Sequence, residues 1–182
     1  IGEGVQRGWC DGVGRGSMGL VAASGTGLQE VSGNIHHLGA GVSQASGTGG
    51  RDLHEAIGGL SMSQGIAMLA DDPETNLIVL ISKPPAPGIM QKVLASARQC
   101  GKPVVVHFLG AEDHCLEYEG VIPARSLLHA AQVAVATSEG KKTPQESNTR
   151  ESFLAEARAK IGTMAAVQKD IRGVFAGGTF CY

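Results

Sequence analysis

Met18-Gly19-Leu20-Val21-Ala22-Ala23-Ser24-Gly25-Thr26-Gly27 is the stretch that decides how this chain folds. Met18 to Ala23 is a continuous apolar run with the length of a strand buried on both faces. Behind the turn that follows, Leu28, Val31 and Ile35 recur at helical spacing until Gly39 stops the pattern. Strand, glycine turn and helix start in this order make an anion seat. The glycines let the backbone turn closely, and the unpaired N–H groups of a first helical turn present the positive end of the helix dipole. Ser24, Gly25, Thr26 and Gly27 are therefore candidate anion-binding residues.

A second glycine turn follows a short strand over Val42 to Ala45. Gly47-Thr48-Gly49-Gly50-Arg51-Asp52 is expected to repeat the device and lead into a helix over Glu55 to Ala70, whose first half Gly58, Gly59 and Gly65 weaken. Thr48, Gly49 and Gly50 join the candidates, and Arg51 adds a forked side chain able to hold a carboxylate or phosphate on two bonds. Asn76 to Ser82, centred on Leu77-Ile78-Val79-Leu80-Ile81, is the clearest strand, and Pro84, Pro85 and Pro87 end it. Lys83 stands at its carboxyl end, where an open α/β sheet places substrate contacts. Each candidate also has a plainer reading: Ser24 as a helix cap, Asp52 as the cap of a β–α turn, Arg51 and Lys83 as solvated charges.

Further along, a helix is expected over Gly88 to Gln99, a strand over Pro103 to Leu109, an acidic loop over Ala111 to Gly120 and a helix over Pro123 to Ala136. A polar break over Ser138 to Thr149 precedes a helix over Ser152 to Asp170 with Phe153, Leu154, Ala157 and Ile161 on one face. Repeated strand, turn and helix predicts an α/β domain of three layers with a mainly parallel sheet, which binds ligands at the carboxyl ends of its strands.

Composition narrows the function. With 182 residues there is room for one ordinary domain with a real core. A net charge of −2 and 18% charged residues give no polyanion-binding surface, so nucleic acid is not an expected partner. The apolar runs are too short to span a bilayer and the N-terminus lacks a basic region followed by an apolar stretch, so a soluble cytoplasmic protein is expected. Cys10, Cys100, Cys115 and Cys181 form no CxxC pair, which suits a reducing compartment better than a disulfide framework or a zinc site. Glu112, Asp113, His114 and Cys115 are of ligand type but lack ligand spacing, and no metal site is assigned. His107, inside a strand, reads as a packed core residue, and His36 and His37 as charge partners of a helix end.

The order of these motifs resembles the second, flavodoxin-like domain of the succinyl-CoA synthetase α subunit and its acyl-CoA synthetase relatives. The likeness covers about residues 17–137 and rests on Gly19-Leu20-Val21 leading to Ser24-Gly25-Thr26, on Gly47-Thr48-Gly49-Gly50, on Asp72-Pro73-Glu74-Thr75 before Ile78-Val79, and on Lys102-Pro103-Val104-Val105 leading to Gly110. Within that superfamily the chain looks most like the FdrA-type branch, linked to oxamate carbamoyltransferase. Glu119-Gly120-Val121 and Arg125-Ser126-Leu127 follow Gly110 too closely to leave room for the synthetases' phosphohistidine loop and its helix. Ser82-Lys83-Pro84-Pro85 stands where synthetases carry the glutamate that supports that histidine.

The resemblance implies a succinyl-CoA synthetase-like domain over 17–140, a leading segment over 1–16, and over 141–182 a helical linker with the start of a following domain. The chain begins without Met and stops at Tyr182 within an apolar, glycine-marked stretch, so a piece of a longer protein is expected. The implied function is binding of a small anionic substrate for carbamoyl or acyl transfer. CoA or carbamoyl phosphate are the implied cofactors, CoA mainly on a preceding domain. Further domains or subunits and a homo-oligomer are the implied partners. An ATP-dependent acid–CoA ligase and a non-catalytic ligand-binding or assembly domain remain open beside it.

Overall fold

The computed structural model describes residues 12–111, 118–145, 149–165 and 173–174. Along these residues run β1 (Arg15–Ala22), α1 (Gly25–His37), β2 (Val42–Gly47), α2 (Leu60–Asp71), β3 (Leu77–Ser82), α3 (Pro87–Gln99), β4 (Val104–Phe108), β5 (Val121–Pro123), α4 (Leu127–Ser138) and α5 (Thr149–Ile161). The strands form one sheet in the order β2-β1-β3-β4-β5, and every neighbouring pair is parallel. This is the flavodoxin-like α/β arrangement expected from the sequence.

All six residues of β3 are buried because the sheet is covered on both faces. Side chains alternate along a strand. Leu77, Val79 and Ile81 therefore join one cluster with Leu28, Val31 and Ile35 of α1 and the alanine-rich α4, while Ile78 and Leu80 join Met62, Ile66, Val93 and Leu94 of α2 and α3 on the other face. The chain leaves β1 toward β2 by way of α1, then returns past β1 to β3 by way of α2. Reversing direction while keeping right-handed crossovers requires those two helices to lie on opposite faces. The carboxyl ends of β1 and β3 are consequently the switch point of the sheet.

Two of the four sequence motifs that carry the resemblance brace the opposite, amino-terminal end of the strands. Asp72 accepts the Glu74 N–H at 3.0 Å and the Thr75 hydroxyl at 2.6 Å, and Thr75 Oγ1 lies 2.6 Å from the buried Ser43 hydroxyl. Those bonds, led by the Thr75 hydroxyl and followed by the Glu74 N–H, pull the Asp72 carboxyl below its ordinary pKa of 3.8. Lys102 Nζ donates to Leu69 O and Asp72 O, each at 2.7 Å, and so closes the carboxyl end of α2. Asp72-Pro73-Glu74-Thr75 and Lys102-Pro103 are parts of the frame.

The structure corrects several element boundaries. β1 begins at Arg15, inside the expected leading segment, whose residues 1–11 lie outside the described residues. α2 begins at Leu60 rather than Glu55, because Gly58 and Gly59 adopt φ of 76° and 69°, a left-handed backbone that a helix cannot continue. Val121–Pro123, partly given to a helix by the periodicity, is an edge strand, and the helix starts after the Ser126 cap, whose hydroxyl accepts the His129 N–H at 3.1 Å. The last helix runs over Thr149–Ile161 and leaves Phe153, Leu154 and Ile161 exposed rather than packed. The remainder of the expected helix, 166–170, lies outside the described residues, as do Glu112, Asp113, His114 and Cys115.

Candidate functional site

Ser24 ends β1 in an extended conformation, with φ −116° and ψ 110°, and caps α1. Its Oγ accepts the Gly27 N–H at 3.0 Å and its carbonyl accepts the Leu28 N–H at 2.9 Å. The N–H groups of Gly25 and Thr26 have no hydrogen-bond partner among the described residues, so the first helical turn keeps outward donors. Gly27 is there because α1 meets the sheet closely. A Cβ on it would stand 2.9 Å from Ile81 Cγ2 and 2.9 Å from Ser24 Oγ. The helix start is thereby pinned over the carboxyl end of β3, next to Ala23, whose N–H donates to Ile81 O at 3.0 Å.

The second glycine loop arrives beside it. Thr48 N–H donates to Ala22 O at 2.8 Å, and a Cβ on Gly50 would lie 3.9 Å from Ala23 O. The second stretch thus borders Ala22 and Ala23, the residues directly before Ser24, so 24–27 and 48–52 lie at the same carboxyl end of the sheet. The second stretch differs from expectation in one respect: no helix start follows it directly. The loop runs on to Gly59, and Asp52 reaches across it to accept the Ser61 N–H at 2.9 Å on Oδ1 and the Met62 N–H at 2.8 Å on Oδ2. Asp52 is 4% exposed, and its carbonyl also accepts the Gly59 N–H at 2.8 Å. The carboxylate of the chain itself therefore occupies the start of α2, so that of these two helix starts it is α1 that keeps outward donors.

An open depression of ≈ 730 Å³ borders this loop, lined by residues 48–52 together with His54, Ala56, Ile57 and Ser61. Arg51 is exposed there without an ion-pair partner among the described residues. Leu53, 4% exposed, turns inward and anchors the segment, and its carbonyl accepts the Ala86 N–H at 3.3 Å. Lys83 follows the last residue of β3, exposed, at the same end of the sheet. His36 and His37 end α1 at the far end of the sheet, where His36 Nδ1 accepts the Gly14 N–H at 3.2 Å. His107 is 6% exposed, with Nδ1 2.9 Å from Ala124 O, the packed core residue expected.

The sequence reading did not single out His54, Ser61 or the long-range role of Asp52. An available signal was the pair Gly58-Gly59, which breaks the expected helix and turns residues 53–58 into a loop able to line a site. Another buried histidine it did not note is His129: Nδ1 accepts the Arg125 N–H at 3.2 Å, so Nε2 carries the proton and donates to Pro144 O at 3.0 Å. It ties the chain after α4 back to that helix.

No protein-family model matches the chain. Among curated proteins it is 49% identical over 168 residues to "Uncharacterized protein YahF" of Escherichia coli (strain K12), covering 92% of this chain and 32% of that protein. It is 28% identical over 159 residues to "Succinate--CoA ligase [ADP-forming] subunit alpha" of Aquifex aeolicus (strain VF5), covering 86% of this chain and 48% of that one. The chain therefore spans a third to a half of the length of these relatives. Among solved structures, PH0766 from Pyrococcus horikoshii OT3 superposes with a TM-score of 0.53 at 18% identity, over 69% of this chain and 28% of that one. The dinucleotide-forming acetyl-coenzyme A synthetase 1 of Ca. Korarchaeum cryptofilum, in its apo form, superposes with a TM-score of 0.51 at 18% identity, over 70% and 31%. The five-stranded parallel sheet, the sequence similarity to a succinate–CoA ligase α subunit and these structural neighbours agree: the chain is similar to the succinyl-CoA synthetase and acyl-CoA synthetase-like superfamily and has an acid–CoA ligase-like fold.

Proposed function

We propose that this chain is the central domain of an FdrA-type, acyl-CoA synthetase-like protein, and that it binds a small phosphate- or carboxylate-bearing substrate for carbamoyl or acyl transfer without a phosphohistidine. The observation that carries the reading is the placement, at the same carboxyl end of the sheet, of the α1 start, whose Gly25 and Thr26 N–H groups have no partner among the described residues, and of the Arg51 loop, which borders Ala22 and Ala23. N–H dipoles fixed in advance stabilise a developing anion without a nucleophile from the same chain. Two further features support it. His107 is enclosed and hydrogen-bonded, and a lysine, Lys83, stands where the resemblance leads one to expect a carboxylate.

The test is calorimetric titration of the full chain with carbamoyl phosphate, oxamate, succinate, CoA and ATP. The reading expects carbamoyl phosphate or oxamate to bind, and Arg51→Ala and Lys83→Ala each to weaken that binding by about tenfold or more, the value of a charge-assisted hydrogen bond. Binding of ATP together with an acid-labile phosphoryl adduct on a histidine would instead make the chain part of an ATP-dependent acid–CoA ligase. No binding of any of the five would leave an assembly domain.

A further inference from the structure

The depression at the β2–α2 loop is lined by two basic side chains, Arg51 and His54, of which the sequence motifs point to the first. Arg51 and His54 lie three residues apart in one tight turn, in which the His54 N–H donates to Arg51 O at 3.1 Å. Both are exposed, and neither side chain has a hydrogen-bond or ion-pair partner among the described residues. The carboxylate nearest in sequence, Asp52, is committed elsewhere, with each oxygen accepting one N–H of α2. The Thr48 hydroxyl, on the same lining, is buried and lacks a hydrogen-bond partner among the described residues, an arrangement that costs free energy until an acceptor arrives.

We infer that His54 is a second charged contact for the ligand of this depression, and that the ligand group held there is a doubly charged oxyanion gripped between the Arg51 guanidinium and the His54 imidazolium. A singly charged acid would neutralise one of the two cations and leave the other without a counter-charge in the same depression; a dianion neutralises both. The inference rests on the anion-binding reading above and adds the charge of the ligand and the residue that selects it. It also makes binding pH-dependent. Among the described residues, the charged groups in the lining or on the segments tied to this loop are Arg51 and Asp52, Glu55 next to His54 in the chain, and Lys92 of α3, whose ammonium donates to Gly58 O at 2.9 Å. Among these residue types, histidine is the one whose charge changes between about pH 5 and 8. Affinity for the dianion is thus expected to fall as pH rises through that window.

The probes are sodium sulfate, sodium oxalate and sodium formate, titrated calorimetrically into the full chain at about pH 5.5 and pH 8, a range in which none of the three changes its charge appreciably. Sulfate or oxalate is expected to bind about tenfold or more tightly at the lower pH, and formate to show no such gain. His54→Gln should bring the low-pH affinity down to the high-pH value without moving the melting temperature. His54→Lys should hold the tight value at both. Tighter sulfate assigns a phosphoryl-type group, tighter oxalate a dicarboxylate. The inference is overturned if His54→Gln keeps the pH dependence or if formate binds as tightly as the dianions. Should Arg51→Gln abolish sulfate binding while His54→Gln changes nothing, the anion site stands and the part given to His54 falls. If none of the three binds the wild-type chain at either pH, both fall.

Discussion

Removing the Asp52 carboxylate should unfold the start of α2 without removing a ligand contact. Its two oxygens accept the Ser61 and Met62 N–H groups at 2.9 and 2.8 Å, and Gly59, at the N-cap position, has no side chain to replace it. A hydrogen bond to a charged group is worth about 1.5–3 kcal/mol, and the loss of an N-cap costs about 0.5–2 kcal/mol in other proteins. The two bonds share one carboxylate and are not additive, so Asp52→Ala is expected to cost about 3 kcal/mol. Asp52→Asn keeps one acceptor and turns its amide donors toward the second N–H, for roughly half that cost. In a chain of this size about 3 kcal/mol lowers the melting temperature by about 6–12 °C. Amide hydrogen exchange supplies the local readout, with Ser61 and Met62 accelerating ahead of the strand amides in both variants. Because a negative charge leaves the rim of the depression, affinity for an anionic ligand should rise or stay level in Asp52→Asn. A melting temperature within about 1 °C of wild type, or a loss of anion binding with stability unchanged, would refute the reasoning and make Asp52 a ligand residue instead of a cap.

Two glycines of α1 should respond in opposite directions to the same substitution. Gly33→Ala has nothing within 4 Å of the new methyl and should stabilise by about 0.5–1 kcal/mol, whereas Gly27→Ala drives a Cβ to 2.9 Å from Ile81 Cγ2 and should destabilise by about 1–3 kcal/mol. Equal gains in thermal unfolding would mean that α1 does not press on β3 as described. For Asp72 the folded pKa is depressed, so its contribution to stability is complete above the ordinary value of 3.8 and is lost as pH falls through the folded value. Asp72→Asn should therefore melt below wild type at neutral pH, with the gap closing as pH falls below the ordinary value of 3.8 and through the folded one; a gap that persists in acid would show that the carboxylate charge is not the cause.

Most of the frame is legible in the sequence because it is set by short-range rules. Leu77 to Ile81 can only be a strand covered on both faces, and Ser24 caps α1 because a hydroxyl three residues before Gly27 finds that N–H at hand. The motif order carried the superfamily resemblance, and with it the flavodoxin-like topology. Three features were settled by tertiary structure alone. β5 is a three-residue edge strand, too short for any period to show, and exists because β4 offers it a partner. Asp52 caps a helix nine and ten residues away, which no local spacing announces, since the reach depends on Leu53 burying itself and on Gly58 and Gly59 turning the loop back. The depression that gathers Arg51, His54 and Ser61 exists only once that loop is closed, for a cavity is a property of how segments pack and not of any one of them.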